Sequence, residues 1–254
     1  MTEAEKPGLI LVPGLDGTAL LFYRQIPPLS SRFRVASFPL PDDSSCTMED
    51  LVSELDARVD ELVGGDREER VILCGESFGG ALSLSYALSH PQRLRGLVIL
   101  NSFAWIRRRI HLRLGPILLK ALPWGAMSIA RRFTESRLHT VHTSQEDLKE
   151  FRERSRAIGR AGYLRRLEIL RGYDLRDRVS AIETPTLFLA ADRDRLVDSV
   201  EQASYMSARM PNATMRVLEG YGHICMINHD FHLLDYIEPW LRSSSPVLAQ
   251  VTEE

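Results

Sequence analysis

Cysteine is scarce in this chain: Cys46, Cys74 and Cys225 are the only three in 254 residues. A small, odd number excludes a disulfide framework, and no pair has the spacing of zinc ligands. A reduced, cytoplasmic setting is the expectation. Long apolar runs are also missing. No stretch of about 18 apolar residues occurs, so no membrane-spanning helix is predicted. The opening "MTEAEKPG" has no basic region leading into an apolar one, so no signal peptide is expected. A surplus of positive charge is absent too. The formal net charge of −2 argues against nucleic acid as a partner. Internal repeats and low-complexity segments are lacking.

The apolar residues that are present follow an alternating rhythm. "LILV" (9–12) and "RFRVASF" (32–38) read as short strands. "TMEDLVSELDARVDELV" (47–63) carries Leu51, Val52, Leu55, Val59 and Leu62 at helical spacing. Thr47 and Asp50 open it as a capping-box-like pair. "RVILC" (70–74) reads as a buried strand, and the helix after it runs to about Ser89, where His90-Pro91 stops it. "LRGLVILN" (94–101), "TPTLFLAAD" (184–192) and "TMRVLEG" (214–220) bring the strands to about six, with helices near 199–210 and 229–242. Strands alternating with helices predict an α/β fold, a mostly parallel, doubly wound sheet with helices on both faces.

The rhythm breaks between residues 103 and 180, where helical patterns occur without a convincing strand. The predicted organisation is therefore a core half at 1–102, a helical cap insertion at 103–180, a second core half at 181–242 and a flexible tail at 243–254. Between 101 and 180 there are 18 Lys and Arg against 8 Asp and Glu, which leaves 14 basic and 26 acidic residues elsewhere. Solvated arginine faces on helices account for this. So does a basic lid attracting an anionic substrate or touching a membrane surface. "IRRRIHLRLGPILLKALPWGAMSIARRF" (106–133) fits peripheral lipid contact loosely, because Pro116, Pro123 and Gly125 break it into short helices.

One pentapeptide carries chemistry: Gly75-Glu76-Ser77-Phe78-Gly79, followed by Gly80. A G-x-S-x-G pattern alone is weak. Here a buried-type strand feeds it and a helix leaves it, which is the setting of a strained turn that exposes a serine. Such a turn needs glycine on both sides, because a side chain there would strike neighbouring backbone. It also sets Ser77 at a helix N-terminus, where developing negative charge is favoured.

With that motif in that setting, the chain resembles the α/β-hydrolase family, over roughly residues 8–242. The resemblance implies a triad in chain order serine, acid, histidine. Ser77 is the implied nucleophile. "LFLAADRDRLVD" supplies Asp192, Asp194 and Asp198 as acids. Asp194 matches the family pattern best; Asp192 reads as an arginine or loop partner and Asp198 as a helix cap. "VLEGYGHICMINHDF" places His223 after Gly220 and Gly222 as the implied base, with His229 and His232 read as surface or packing residues. The implied oxyanion donors are the N–H groups of Phe78 and Leu15, with Asp16 a rival for the second. The loop "VPGLDG" departs from many members in carrying Pro13-Gly14 where they carry His-Gly. Glu76 invites a general-acid role; the alternative is an elbow residue held by local hydrogen bonds beneath the triad.

The resemblance therefore implies a serine hydrolase of a small-molecule carboxylic ester or thioester, acting through an acyl-enzyme, with no metal or organic cofactor. Ile117, Leu118, Leu119, Leu122, Trp124, Met127 and Ile129 in the cap point to an apolar acyl group, though plain core residues would look the same. "PGLDGT" and "CGESFGG" also resemble, more narrowly, phytyl ester synthase-like acyl hydrolases and acyltransferases. An acyltransferase on the same triad, a lyase or C–C bond hydrolase, and a non-catalytic ligand-binding member of the fold stay open. Oligomeric state is not legible in the sequence.

Overall fold

The computed structural model describes residues 6–66, 68–106, 138, 140 and 142–244. Six strands form one sheet: β1 (Gly8–Val12), β2 (Arg34–Ser37), β3 (Val71–Glu76), β4 (Leu94–Leu100), β5 (Thr186–Ala191) and β6 (Ala213–Leu218), in the order β2-β1-β3-β4-β5-β6. Every pairing between them is parallel. The helices described are α1 (Ile26–Ser30), α2 (Met48–Leu62), α3 (Phe78–Ser89), α4 (Gln145–Arg154), α5 (Arg160–Gly172), α6 (Ser199–Ser207) and α7 (Leu234–Ser244).

The inner strands read as continuous apolar runs because both of their faces are covered. Alternate residues go to opposite sides. Ile10, Val12, Leu73, Leu97, Ile99 and Phe188 pack on the side of α2, α3 and α6. Leu9, Leu11, Ile72, Cys74, Val98 and Leu187 pack on the other side, against Phe22, Leu29, Ile237 and Trp240. The register places Val12 beside Gly75 and Glu76 beside Leu100, so β1, β3 and β4 end close together. From β1 the chain moves outward to β2, then returns to lay β3 on the opposite side of β1. The β1/β3 boundary is thus a topological switch point, where loops diverge and leave a crevice at the strands' carboxyl ends.

Helix α2 shows the expected capping box. The Thr47 side chain accepts from the Asp50 N–H at 3.1 Å, and the Asp50 carboxylate accepts from the Thr47 N–H at 2.8 Å. Helix α1, "IPPLS", has no counterpart in the sequence reading, since five residues are too few to show a helical period. The last helix starts at Leu234, later than residue 229. The buried Gln25 side chain donates to the Met226 and Phe231 carbonyls at 2.6 and 2.9 Å and accepts from the Leu233 N–H at 2.8 Å. Residues 226–233 are thereby held as a turn.

Within 103–180 the described parts are helical, with one isolated antiparallel bridge joining Trp105 to Asp174. The ends of this segment are sewn into the core, for Phe103, Ala104, Tyr173, Leu175 and Val179 are buried with α2 and α3. Residues 107–133 of the expected apolar and basic stretch (106–133) and 245–254 of the expected tail (243–254) lie outside the described residues, whereas Ser243 and Ser244 end α7 rather than begin a tail. Among the described residues, no helix is long and apolar enough to cross a membrane.

Candidate active site

Strand β3 delivers Ser77 to the switch point in a strained turn. Its φ is 53° and ψ −114°, a conformation that L-residues avoid. The glycines around it are needed for space. A Cβ on Gly75 would strike the Gly79 backbone and come within 2.6 Å of Ser83 Oγ. One on Gly79 would strike Val12 O and lie 2.6 Å from Pro13 O. The close approach of α3 to the end of β1 therefore depends on Gly79. Ser77 holds the N-cap position of α3, yet its hydroxyl makes no cap hydrogen bond.

That hydroxyl meets His223 instead. Ser77 Oγ lies 3.0 Å from His223 Nε2, and His223 Nδ1 lies 2.7 Å from Asp194 Oδ2. All three residues are buried. With Nδ1 donating to the carboxylate, Nε2 keeps its lone pair for the serine proton. Asp194 is held on both oxygens. Oδ1 accepts from the N–H groups of Leu196 and Val197 at 2.8 and 3.3 Å, and Oδ2 also accepts from the Ser199 hydroxyl.

Electrostatics follow from this geometry. Burial pushes the Asp194 carboxyl up, but His223 and the hydrogen bonds from His223, Ser199 and Leu196 outweigh it and hold it below the ordinary range. Burial likewise disfavours the charged His223 ring; Asp194, and more weakly Glu76, outweigh that and raise its proton affinity. Glu76 Oε1 lies 3.7 Å from His223 Nε2. Burial, with smaller pushes from Asp16 and Asp194, outweighs the pull of His223 and the Gly14 N–H and raises the Glu76 carboxyl to about 8. Ionisation of Glu76 is thus disfavoured in the folded protein.

The loop after β1 lies against the elbow: a Cβ on Gly14 would sit 3.4 Å from Ser77 Cβ. A turn closes with the Gly17 N–H donating to Gly14 O at 3.1 Å. Among the described residues, the N–H groups of Leu15 and Phe78 have no acceptor. Asp16 uses its carboxylate locally, accepting from the Thr18 N–H and hydroxyl at 3.0 and 2.7 Å.

The rival candidates have other positions. Asp192 accepts from the Gly220 N–H at 2.7 Å and pairs loosely with Arg193 at 3.7 Å. Asp198 occupies the N-cap of α6, but its side chain makes no cap hydrogen bond there, contrary to the expected cap. His229 lies 3.5 Å from Asp147, and His232 is exposed. His142 pairs with Asp230 at 2.7 Å, and His90 stacks on Tyr86.

Two further residues brace the site. Asn101, at φ 46°, donates through Nδ2 to the His223 carbonyl at 2.7 Å and accepts at Oδ1 from the Ala191 N–H at 2.8 Å. It ties the end of β4 to the acid strand and the histidine loop. Ser102 Oγ donates to the Ser77 carbonyl at 2.7 Å. Asn101 and Ser102 are a polar pair ending an apolar strand, but that pattern does not record which distant groups they hold.

A parallel sheet with its switch at β1/β3, a strained serine turn after β3 and a buried histidine loop after β6 define the α/β-hydrolase fold. Comparison with known proteins narrows this: the chain belongs to the Hydrolase_4 family, described as serine aminopeptidase, S33, whose model matches residues 45–230. A relative in Cronobacter sakazakii, named "Putative carbamate hydrolase RutD", is 27% identical, covering 93% of this chain and 92% of its own. The pimeloyl-(acyl-carrier protein) methyl ester esterase of Aeromonas hydrophila is 26% identical over 91% of this chain and 94% of its own. Among solved structures, a hydrolase from Pseudomonas aeruginosa PA01 superposes with a TM-score of 0.80 at 23% identity, covering 95% of this chain and 90% of that one.

Proposed function

We propose that this protein is a serine hydrolase of small-molecule carboxylic esters, with Ser77 as nucleophile, His223 as general base and Asp194 as its orienting acid. The observation that carries this reading is the unbroken chain from Ser77 Oγ to His223 Nε2 at 3.0 Å and from His223 Nδ1 to Asp194 at 2.7 Å. In this reading Ser77 Oγ attacks the ester carbonyl while His223 takes its proton. The N–H groups of Leu15 and Phe78 stabilise the resulting oxyanion, each worth about 3 kcal/mol. Collapse expels the alcohol, which receives the proton from His223. Water activated by the same ring then releases the acid and frees Ser77. We assign an apolar acyl group on the apolar cap residues between Ile117 and Ile129 in the sequence.

The relative named for carbamate hydrolysis motivates a second reading, in which the attacked carbonyl belongs to a carbamate. The catalytic steps are the same up to the acyl group. Steady-state assays with p-nitrophenyl esters of graded chain length, run beside aryl carbamates, separate the two. The expected result is ester turnover that rises with an apolar acyl chain and falls on the order of 10⁶-fold in kcat in Ser77→Ala. Turnover of neither substrate class would overturn the catalytic reading, and equal turnover by Ser77→Ala would overturn the nucleophile. Product analysis with a long-chain alcohol present distinguishes hydrolysis from acyl transfer.

A further inference from the structure

Among the described residues, Arg166 is the largest of the fully buried side chains, with 2% of its surface exposed. It sits mid-way along α5, within the stretch between the two halves of the sheet, yet its guanidinium ends on the loop after β1. Nε donates to the Leu15 carbonyl at 3.1 Å, Nη1 to Pro41 O at 3.0 Å and Nη2 to Asp16 O at 3.5 Å. Gly17, at φ +69°, makes room, because a Cβ there would lie 2.6 Å from Nη2. Helix α5 is fastened beside this contact. The Gly162 N–H donates to Asp42 Oδ1 at 2.5 Å, and Arg165 Nε donates to the Cys46 carbonyl at 2.6 Å.

The effect on Leu15 is geometric. Its backbone is flanked by two peptide planes. The first is fixed because the Gly14 carbonyl accepts from the Gly17 N–H. The second is fixed because the Leu15 carbonyl accepts from Arg166. With both planes held, φ and ψ of Leu15 are set, and so is the direction of its N–H. Proline at 13 has neither an N–H nor a polar side chain with which to brace this turn. Guanidinium suits the task, since it presents several donors in a rigid plane and stays charged when buried.

We propose that Arg166 is the positioning residue of the oxyanion loop, a strut from α5 that aims the Leu15 N–H at the substrate oxygen. This rests on the serine-hydrolase reading above. It predicts a loss confined to the transition state, because an oxyanion forms only there.

The test uses Arg166→Met, Arg166→Ala and Arg166→Lys in the full chain, on the ester that the wild type turns over best. Arg166→Met and Arg166→Ala are expected to lose about 10² to 10³-fold in kcat with KM nearly unchanged. Added guanidinium at sub-denaturing concentration should restore part of the Arg166→Ala rate. Arg166→Lys should recover less than guanidinium does, because an ammonium cannot span three carbonyls. Circular dichroism identifies the variants that fold. Should Met and Ala both fail to fold, Arg166→Lys carries the test. A folded variant within about threefold of wild-type kcat, or a loss confined to KM, overturns the proposal. Inactivity of the wild type, or full activity in Ser77→Ala, would instead defeat the underlying catalytic reading before Arg166 is reached.

Discussion

At residue 76 a carboxyl group is buried against the His223 imidazole, and its protonation has a cost that depends on pH. Its value in the folded protein is about 8 against an ordinary 4.5. Between those values the folded chain keeps a proton that the unfolded chain has released. The stability from this group is present below the unfolded value and is lost as pH rises through the folded one. Asp194 has the opposite sign: its lowered value contributes stability above its unfolded value, lost as pH falls through the folded one. Glu76→Gln keeps the neutral shape and removes the titration. The melting temperature of Glu76→Gln relative to wild type should therefore climb from about pH 5 and level off above about pH 8, whereas a constant difference would show that Glu76 is already ionised when folded. Ser77, Asp194 and His223 are legible in the sequence because local patterns mark them: glycines two residues either side of the serine, an acid after a late strand, and Gly-x-Gly before the histidine. Arg166, Asn101 and Ser102 are not. Their partners lie 151, 122 and 25 residues away, and no local pattern records such contacts.

At the level of elements, the strands and long helices are legible because period and caps agree with their final packing. Helix α2 is the clearest case, with four of its apolar residues, Leu51, Val52, Leu55 and Val59, buried and its start set by Thr47. Thr47→Ala removes the side-chain acceptor for the Asp50 N–H and should cost about 1 kcal/mol, read as a shifted urea midpoint with unchanged slope. No shift would mean that packing alone sets the helix start. The start of the last helix departs from its sequence pattern for the converse reason. Gln25, some 200 residues earlier, satisfies the backbone of 226–233 and so replaces helical hydrogen bonds there. Neither segment's neighbours in sequence betray that exchange.

For the whole molecule, the sheet order explains why a single crevice can gather groups from distant segments. The elbow follows β3, the loop carrying Leu15 follows β1, Asp194 follows β5 and His223 follows β6, all at the carboxyl ends of parallel strands. Alternation of strand and helix makes the doubly wound sheet readable, but strand order is a tertiary property, visible in the sequence only through the resemblance. Intact-mass and peptide-mapping analysis after treatment with a fluorophosphonate asks whether that gathered crevice activates its serine. A single adduct on Ser77 is expected, absent in Ser77→Ala and much slower to form in His223→Ala. Its rate of formation should decline as pH falls through the raised value of His223. No adduct on the folded wild type, or equal labelling of Ser77→Ala, would contradict an activated Ser77.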